Sequence, residues 1–132
     1  MTRRAALAVA VGTVIKVVFP PQPIGPGKAI GAEQMGVRPA VVMALPDSVG
    51  PVRRPLLLVV PCTSDKGYEW VRANPILYPI LGAGAAGLPL DTVVMLDQVR
   101  AIDPERVIAI LGRLNAAEWQ PLKDGLRAAL NL

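Results

Sequence analysis

Apolar residues run through the first two thirds of the chain in short stretches of strand length, and a helical period appears only toward the C-terminus. Thr13 to Phe19 is β-branched and apolar apart from Lys16 and is closed by Pro20-Pro21, which predicts a first strand. Residues 20–37 are rich in proline and glycine and read as a long loop. Two continuous apolar runs follow, Pro39 to Leu45 and Leu56 to Val60, bounded by Pro46-Asp47-Ser48 and by Pro61. Both predict strands. Residues 68–81 predict two short strands split by Asn74-Pro75, and Gly82 to Gly87 predicts a flexible loop tip. Asp91 to Ile102 predicts a strand pair or one bent strand.

The last third changes period. Asp103-Pro104-Glu105 sets an N-cap residue, a proline at the first helical position and an acid in the first turn. That pattern predicts a short helix through about Arg113. Asn115-Ala116-Ala117-Glu118 repeats the signature as a capping-box variant. After it, Trp119, Leu122, Leu126 and Ala129/Leu130 recur at helical spacing. Short strands followed by a short and a longer helix, with no βαβ alternation and no internal repeat, predict a mainly β fold with a C-terminal helix. The sheet is expected to be a small antiparallel barrel, in a single domain over residues 1–132.

The N-terminus imitates a secretion signal, with Arg3-Arg4 ahead of the apolar stretch from Ala5 to Ile15. Cleavage at Ala8-Val9-Ala10 would leave almost no apolar region, and the run is too short to cross a bilayer. It also continues without a break into Lys16-Val17-Val18. A first strand is the better reading, and a cytoplasmic location with no membrane association is expected.

Composition narrows the chemistry. Apolar residues make up 52% of the chain and charged residues 18%, the balance of a folded domain and not of a disordered one. There is no histidine, which removes the commonest general base and the commonest metal ligand together. The single cysteine, Cys62, excludes an intrachain disulfide framework and a thiolate-rich zinc site. Ten of the fourteen basic residues are arginine, in a chain of net charge +4. Arginine pairs bidentately with phosphate, so the balance leans toward an anionic partner.

Three short blocks place reactive residues in or beside apolar strands. In Gly31-Ala32-Glu33-Gln34-Met35-Gly36-Val37-Arg38-Pro39-Ala40-Val41-Val42, a carboxylate and a guanidinium lie five residues apart ahead of a buried strand. In Val60-Pro61-Cys62-Thr63-Ser64-Asp65-Lys66-Gly67-Tyr68, hydroxyls and a lysine gather at the end of a strand. In Val94-Met95-Leu96-Asp97-Gln98-Val99-Arg100, polar Asp97-Gln98 interrupts an apolar run. Each alone reads more readily as structure than as chemistry: an edge ion pair, a turn or a capped bulge. Taken in order and at their spacing, with the Gly12-x-Val14 opening and the closing helix, the blocks resemble the MazF/PemK/Kid ribonuclease toxins of bacterial toxin–antitoxin systems.

That resemblance covers roughly residues 12–130. It implies a CcdB–PemK-type, SH3-like barrel and a homodimer whose grooves accept single-stranded RNA. It implies metal-independent cleavage with the 2′-hydroxyl as nucleophile, leaving a 2′,3′-cyclic phosphate and a 5′-hydroxyl, and no cofactor. It implies neutralisation by a cognate antitoxin, with DNA engaged only through the antitoxin complex. Arg38 matches the family's essential arginine and Thr63 its essential threonine, while Glu33 and Asp97 match acidic positions with supporting roles. A CcdB-like gyrase-binding toxin is the alternative on the same fold. It is disfavoured because the chain ends Leu130-Asn131-Leu132 and not in a Trp-Gly-Ile-type end. The chain departs from the family in its long loop from Pro20 to Gly31 and in the apolar stretch from Arg72 to Leu90. The apolar tract from Ile76 to Leu90 suggests a covered surface, a dimer's or an antitoxin's.

The residue chemistry is consistent with that reaction. A guanidinium aimed at a pentavalent phosphorus stabilises its developing charge, and a threonine hydroxyl can hold a non-bridging oxygen. Without histidine, proton removal falls to a carboxylate, Glu33 first and Asp97 second. Arginine holds its protons too tightly to serve the leaving 5′-oxygen well, so that donor is unassigned. Cys62 reads as a strand residue, with no histidine to activate it. Lys28, Gln34, Arg53, Arg54, Ser64, Lys66, Gln98 and Arg100 are the candidate RNA contacts. Trp70, with Tyr68, is a candidate for base stacking.

Overall fold

The computed structural model describes residues 9–20 and 36–132. Seven strands, β1 (Thr13–Phe19), β2 (Gly36–Ala44), β3 (Leu57–Ser64), β4 (Ile80–Leu81), β5 (Thr92–Val94), β6 (Arg100–Ile102) and β7 (Val107–Arg113), form one antiparallel sheet. Helix α1 (Glu69–Ala73) follows β3, and helix α2 (Ala116–Ala129) ends the chain. The strand order is β4-β5-β3-β2-β1-β7, with β6 also paired to β3. β5 and β6 lie end to end along β3, interrupted by a single turn at Leu96–Gln98. Of the two expected arrangements, a strand pair or one bent strand, the fold is nearer the second, since both segments follow the same neighbour.

The sheet is curled but open, which corrects the expected barrel: among the described residues, β4 and β7 are not paired with each other. The curl follows from one contact. The Arg100 guanidinium sits 5.1 Å from the centre of the Phe19 ring. The registers place Arg100 opposite Val59, level with the start of β1, whereas Phe19 ends β1 three strands away. On a flat sheet the two would be roughly 25 Å apart, at about 4.8 Å per strand and 3.3 Å per residue. The concave face carries Ile15, Val17, Phe19, Ala40, Val42, Leu57, Val59, Ile102 and Val107 as one buried cluster. The opposite face, with Val14, Val41, Val60, Cys62, Val94 and Leu96, packs under Leu122 of α2 and Leu88.

α2 starts at the expected capping box. Asn115 Oδ1 accepts from the Glu118 N–H at 2.8 Å, and Glu118 Oε1 accepts from the Asn115 N–H at 2.9 Å. Three stretches differ from expectation. Asp103 does cap, accepting from the Glu105 N–H at 2.9 Å, but the helix stops after one turn at Pro104–Arg106. Val107, Ile108 and Ile110 then extend as β7 because β1 offers a ladder to pair with and β-branched side chains suit a pleated surface. Residues 68–81 form one short helix and one two-residue strand in place of two strands.

The glycine-rich segment at 82–87 is not a free tip. Leu88 is buried, and a Cβ on Gly87 or Gly112 would collide with the Leu111 carbonyl or the Ala86 backbone, so the turn lies directly on β7. Gly125 plays the same part in α2, where a Cβ would strike the Ile76 carbonyl and the Leu96 side chain. Glycine to alanine normally stabilises a helix interior by about 1 kcal/mol. Here overpacking reverses the sign, and Gly125→Ala is expected to lower stability by about 1–3 kcal/mol in chemical denaturation.

Candidate active site

The β2–β3 ladder ends at Ala40↔Pro61, and beyond it β3 pairs only with β5. Proline lacks the N–H that a ladder needs, and Pro39 and Pro61 stand at this point. Continuing the register two residues sets Arg38 level with Thr63. Where the strands part, a pocket of about 180 Å³ opens, lined by Val37, Arg38 and Pro39 on one side and Cys62, Thr63 and Ser64 on the other. Leu88, Pro89, Leu90 and Thr92 complete the wall. Arg38 is the register partner of Val17, and Thr63 of Val93. Directly opposed residues share a face of an antiparallel pair, so Arg38 and Thr63 continue the concave apolar face as a polar rim.

Around this rim the loops are tied by carboxylates. Asp65 Oδ1 accepts from the Gly67 N–H at 2.9 Å, and the Asp65 N–H donates to the Asp91 carbonyl at 2.8 Å. Asp91 Oδ1 accepts from the Ala83 N–H at 2.8 Å, and Arg72 Nη1 donates to the Gly67 carbonyl at 2.9 Å. These bonds join the segment after Thr63 to the segment that carries Leu88 to Leu90. Thr92, which the sequence reading passed over, adds a hydroxyl to the pocket wall and donates to the Leu90 carbonyl at 2.8 Å. Cys62 is fully buried, and burial pushes its thiol up to about 12. It is therefore a neutral wall residue at physiological pH and not a nucleophile.

The other candidates separate. Ser64 lines the pocket with Arg38 and Thr63. Asp97 does not: it is exposed on the turn between β5 and β6 and lines a different cleft with Asn74, Leu77 and the end of α2. Its Oδ2 accepts the Tyr78 hydroxyl at 2.6 Å, and that bond, aided by burial, pushes the Tyr78 hydroxyl up to about 12. Gln98 is on the same turn, 3.8 Å from the Met95 sulfur. Arg100 is half-buried over Phe19. Arg53 and Arg54 are exposed before the start of β3, whereas Thr63 lies at its end. An eight-residue strand spans roughly 25 Å, so within one protomer these arginines are remote from the pocket. Lys66 is exposed on the loop after Thr63 and Ser64. Glu33, Gln34 and Lys28 lie outside the described residues, and no carboxylate lines the pocket among the described residues.

The aromatic residues hold a second arrangement. Trp70 stacks on Tyr68, with ring centres 5.3 Å apart and planes at 21°, and meets Tyr78 edge-on at 4.8 Å and 83°. Three of the five aromatic residues of the chain are therefore in one cluster. Sequence spacing did not reveal it, because Tyr78 joins only once α1 folds back.

A guanidinium and the hydroxyls of Thr63 and Ser64 around an open pocket at the rim of a small curled sheet define a site suited to a phosphate group. Residues 11–130 match the family described as PemK-like, MazF-like toxin of type II toxin–antitoxin systems. The endoribonuclease MazF9 of Mycobacterium tuberculosis is 32% identical over 110 residues, 79% of this chain and 86% of that protein. Among solved structures, MazE–MazF from Deinococcus radiodurans superposes with a TM-score of 0.62 at 27% identity, covering 94% of this chain and 96% of that one. A mycobacterial endoribonuclease in complex with its cognate antitoxin superposes with a TM-score of 0.63, covering 95% and 97% of the two chains. At 15% identity that likeness speaks for the fold alone. The chain belongs to the PemK-like, MazF-like toxin family, whose members are endoribonucleases.

Proposed function

We propose that this endoribonuclease toxin cleaves single-stranded RNA at the pocket between Arg38 and Thr63, without a metal ion, by attack of the 2′-oxygen on the adjacent phosphorus. The observation that carries this reading is the meeting of Arg38, Thr63 and Ser64 in one open pocket. Arg38 stabilises the charge that builds on the phosphoryl oxygens, and the Thr63 hydroxyl donates to one of them. The base is a carboxylate, with Glu33 on the segment leading into β2 as the first choice. Lys66 and Ser64 steer the backbone of the strand.

The active species is a homodimer in the cytoplasm, and a cognate antitoxin neutralises it by covering the RNA groove and alone carries the complex to DNA. β7 supports the dimer. It is an edge strand paired only with β1 among the described residues, and Ile108 and Ile110 are half-exposed on it. Such an edge is usually covered. No helix among the described residues is long and apolar enough to cross a membrane.

The test is cleavage of a long single-stranded transcript in EDTA. Cleavage is expected, giving 5′-hydroxyl ends that a polynucleotide kinase labels without prior phosphatase, and Thr63→Ala is expected to slow it at least tenfold. Intact RNA, or ends carrying 5′-phosphate, would refute the reading.

A further inference from the structure

Asp97, a candidate base by its place in the sequence, is spent on something else in the fold. It lies outside the Arg38–Thr63 pocket, and its carboxylate receives the Tyr78 hydroxyl at 2.6 Å. Tyr78 in turn meets Trp70 edge-on, and Trp70 is stacked on Tyr68. A charge-assisted hydrogen bond of this length fixes the ring that carries it. The exposed end of the chain of contacts is Trp70, with 42% of its surface open to solvent.

The cluster stands beside the reaction site. Tyr68 and Tyr78 pack on Val71, Val93 and Met95, and Val93 is the cross-strand partner of Thr63. Cross-strand partners have Cβ atoms about 5 Å apart on one face. The aromatic surface therefore begins one strand over from the Thr63 hydroxyl, on the same side of the sheet. Arg72, exposed on the same short helix, supplies positive charge next to the rings. Aromatic faces beside a cationic track are how proteins hold unpaired bases.

We propose that Asp97 is a positioning residue: through Tyr78 it holds Trp70 and Tyr68 as a stacking platform for an unpaired RNA base next to the cleaved phosphate. This rests on the nuclease reading above for the ligand, and on the geometry alone for the role of Asp97. The platform contributes to substrate binding and leaves the proton transfers to other groups.

The test separates binding from chemistry. Initial rates on a transcript in EDTA are measured for wild type, Asp97→Ala, Asp97→Asn, Tyr78→Phe and Trp70→Ala. In parallel, a random pool of uncleavable 2′-O-methyl decamers is titrated against Trp119→Phe, which leaves Trp70 as the sole tryptophan. Stacking of one base is expected to be worth about tenfold in KM for Trp70→Ala. Asp97→Ala and Tyr78→Phe should raise KM by several-fold with kcat changed less than threefold, and combining them should add little. Asp97→Asn, whose amide oxygen still accepts the Tyr78 hydroxyl, should recover most of the KM. The decamers should quench Trp70. A hundredfold fall in kcat for Asp97→Asn at constant KM would overturn the proposal and make Asp97 a base. Absence of quenching would overturn it too. If wild type cleaves nothing, the nuclease reading falls, and the decamer titration still decides the platform: adding Asp97→Ala to the Trp119→Phe protein should weaken decamer binding several-fold, and unchanged binding would overturn the proposal.

Discussion

Arg38→Ala is expected to slow RNA cleavage by about 10²–10³-fold while the protein stays folded. The magnitude is that of removing one preorganised charge-stabilising donor from a developing oxyanion. Arg38 is half-buried at the point where β2 and β3 part, and the ladder between those strands closes without it. Truncation leaves the backbone pairing of Arg38 with Val17 in place, and the circular dichroism spectrum should match that of wild type. Arg38→Lys is the sharper variant. It keeps the charge but loses the planar fork that contacts two phosphoryl oxygens at once, and it should recover only part of the rate. Full activity in Arg38→Ala would remove the guanidinium from the mechanism.

Phe19→Ala is expected to be the most damaging of the apolar truncations. Phe19 is fully buried, belongs to the concave core and supports Arg100 from beneath. Losing a buried phenylalanine costs about 3–5 kcal/mol, the lost transfer energy plus the cavity. That is a large share of the stability of a domain of this size. Arg100→Ala, which removes the half-buried side chain lying over the ring but leaves the ring in the core, should cost less than Phe19→Ala. Urea denaturation of the two variants separates them. Equal, small losses would mean that Phe19 does not seal the curl of the sheet.

What the sequence disclosed depended on how local the determinant was. β1 and the start of α2 were legible to the residue: a β-branched run closed by Pro20-Pro21, and a capping box whose two bonds join residues three apart. Arg38 and Thr63 were legible as motif residues, and their meeting follows from antiparallel pairing. β7 was not legible, because Asp103-Pro104-Glu105 determines where a helical turn starts but not how far it runs, and β1 decides the rest. The open edge of the sheet depends on pairing between β4 and β7, which no local pattern reports. The setting of Asp97 was hidden for a related reason. Its partner Tyr78 is 19 residues away in sequence, across β4 and β5.

If the RNA supplies its own nucleophile at the Arg38–Thr63 pocket, as proposed above, blocking that hydroxyl stops the reaction. Once a cleaved bond has been mapped in a transcript, an oligonucleotide spanning it is made with a single 2′-O-methyl on the nucleotide 5′ to that bond. With wild-type protein in EDTA, the unmodified strand should be cut and the methylated one left intact at that bond while still competing for binding. Cleavage of the methylated strand at the same position would contradict the account.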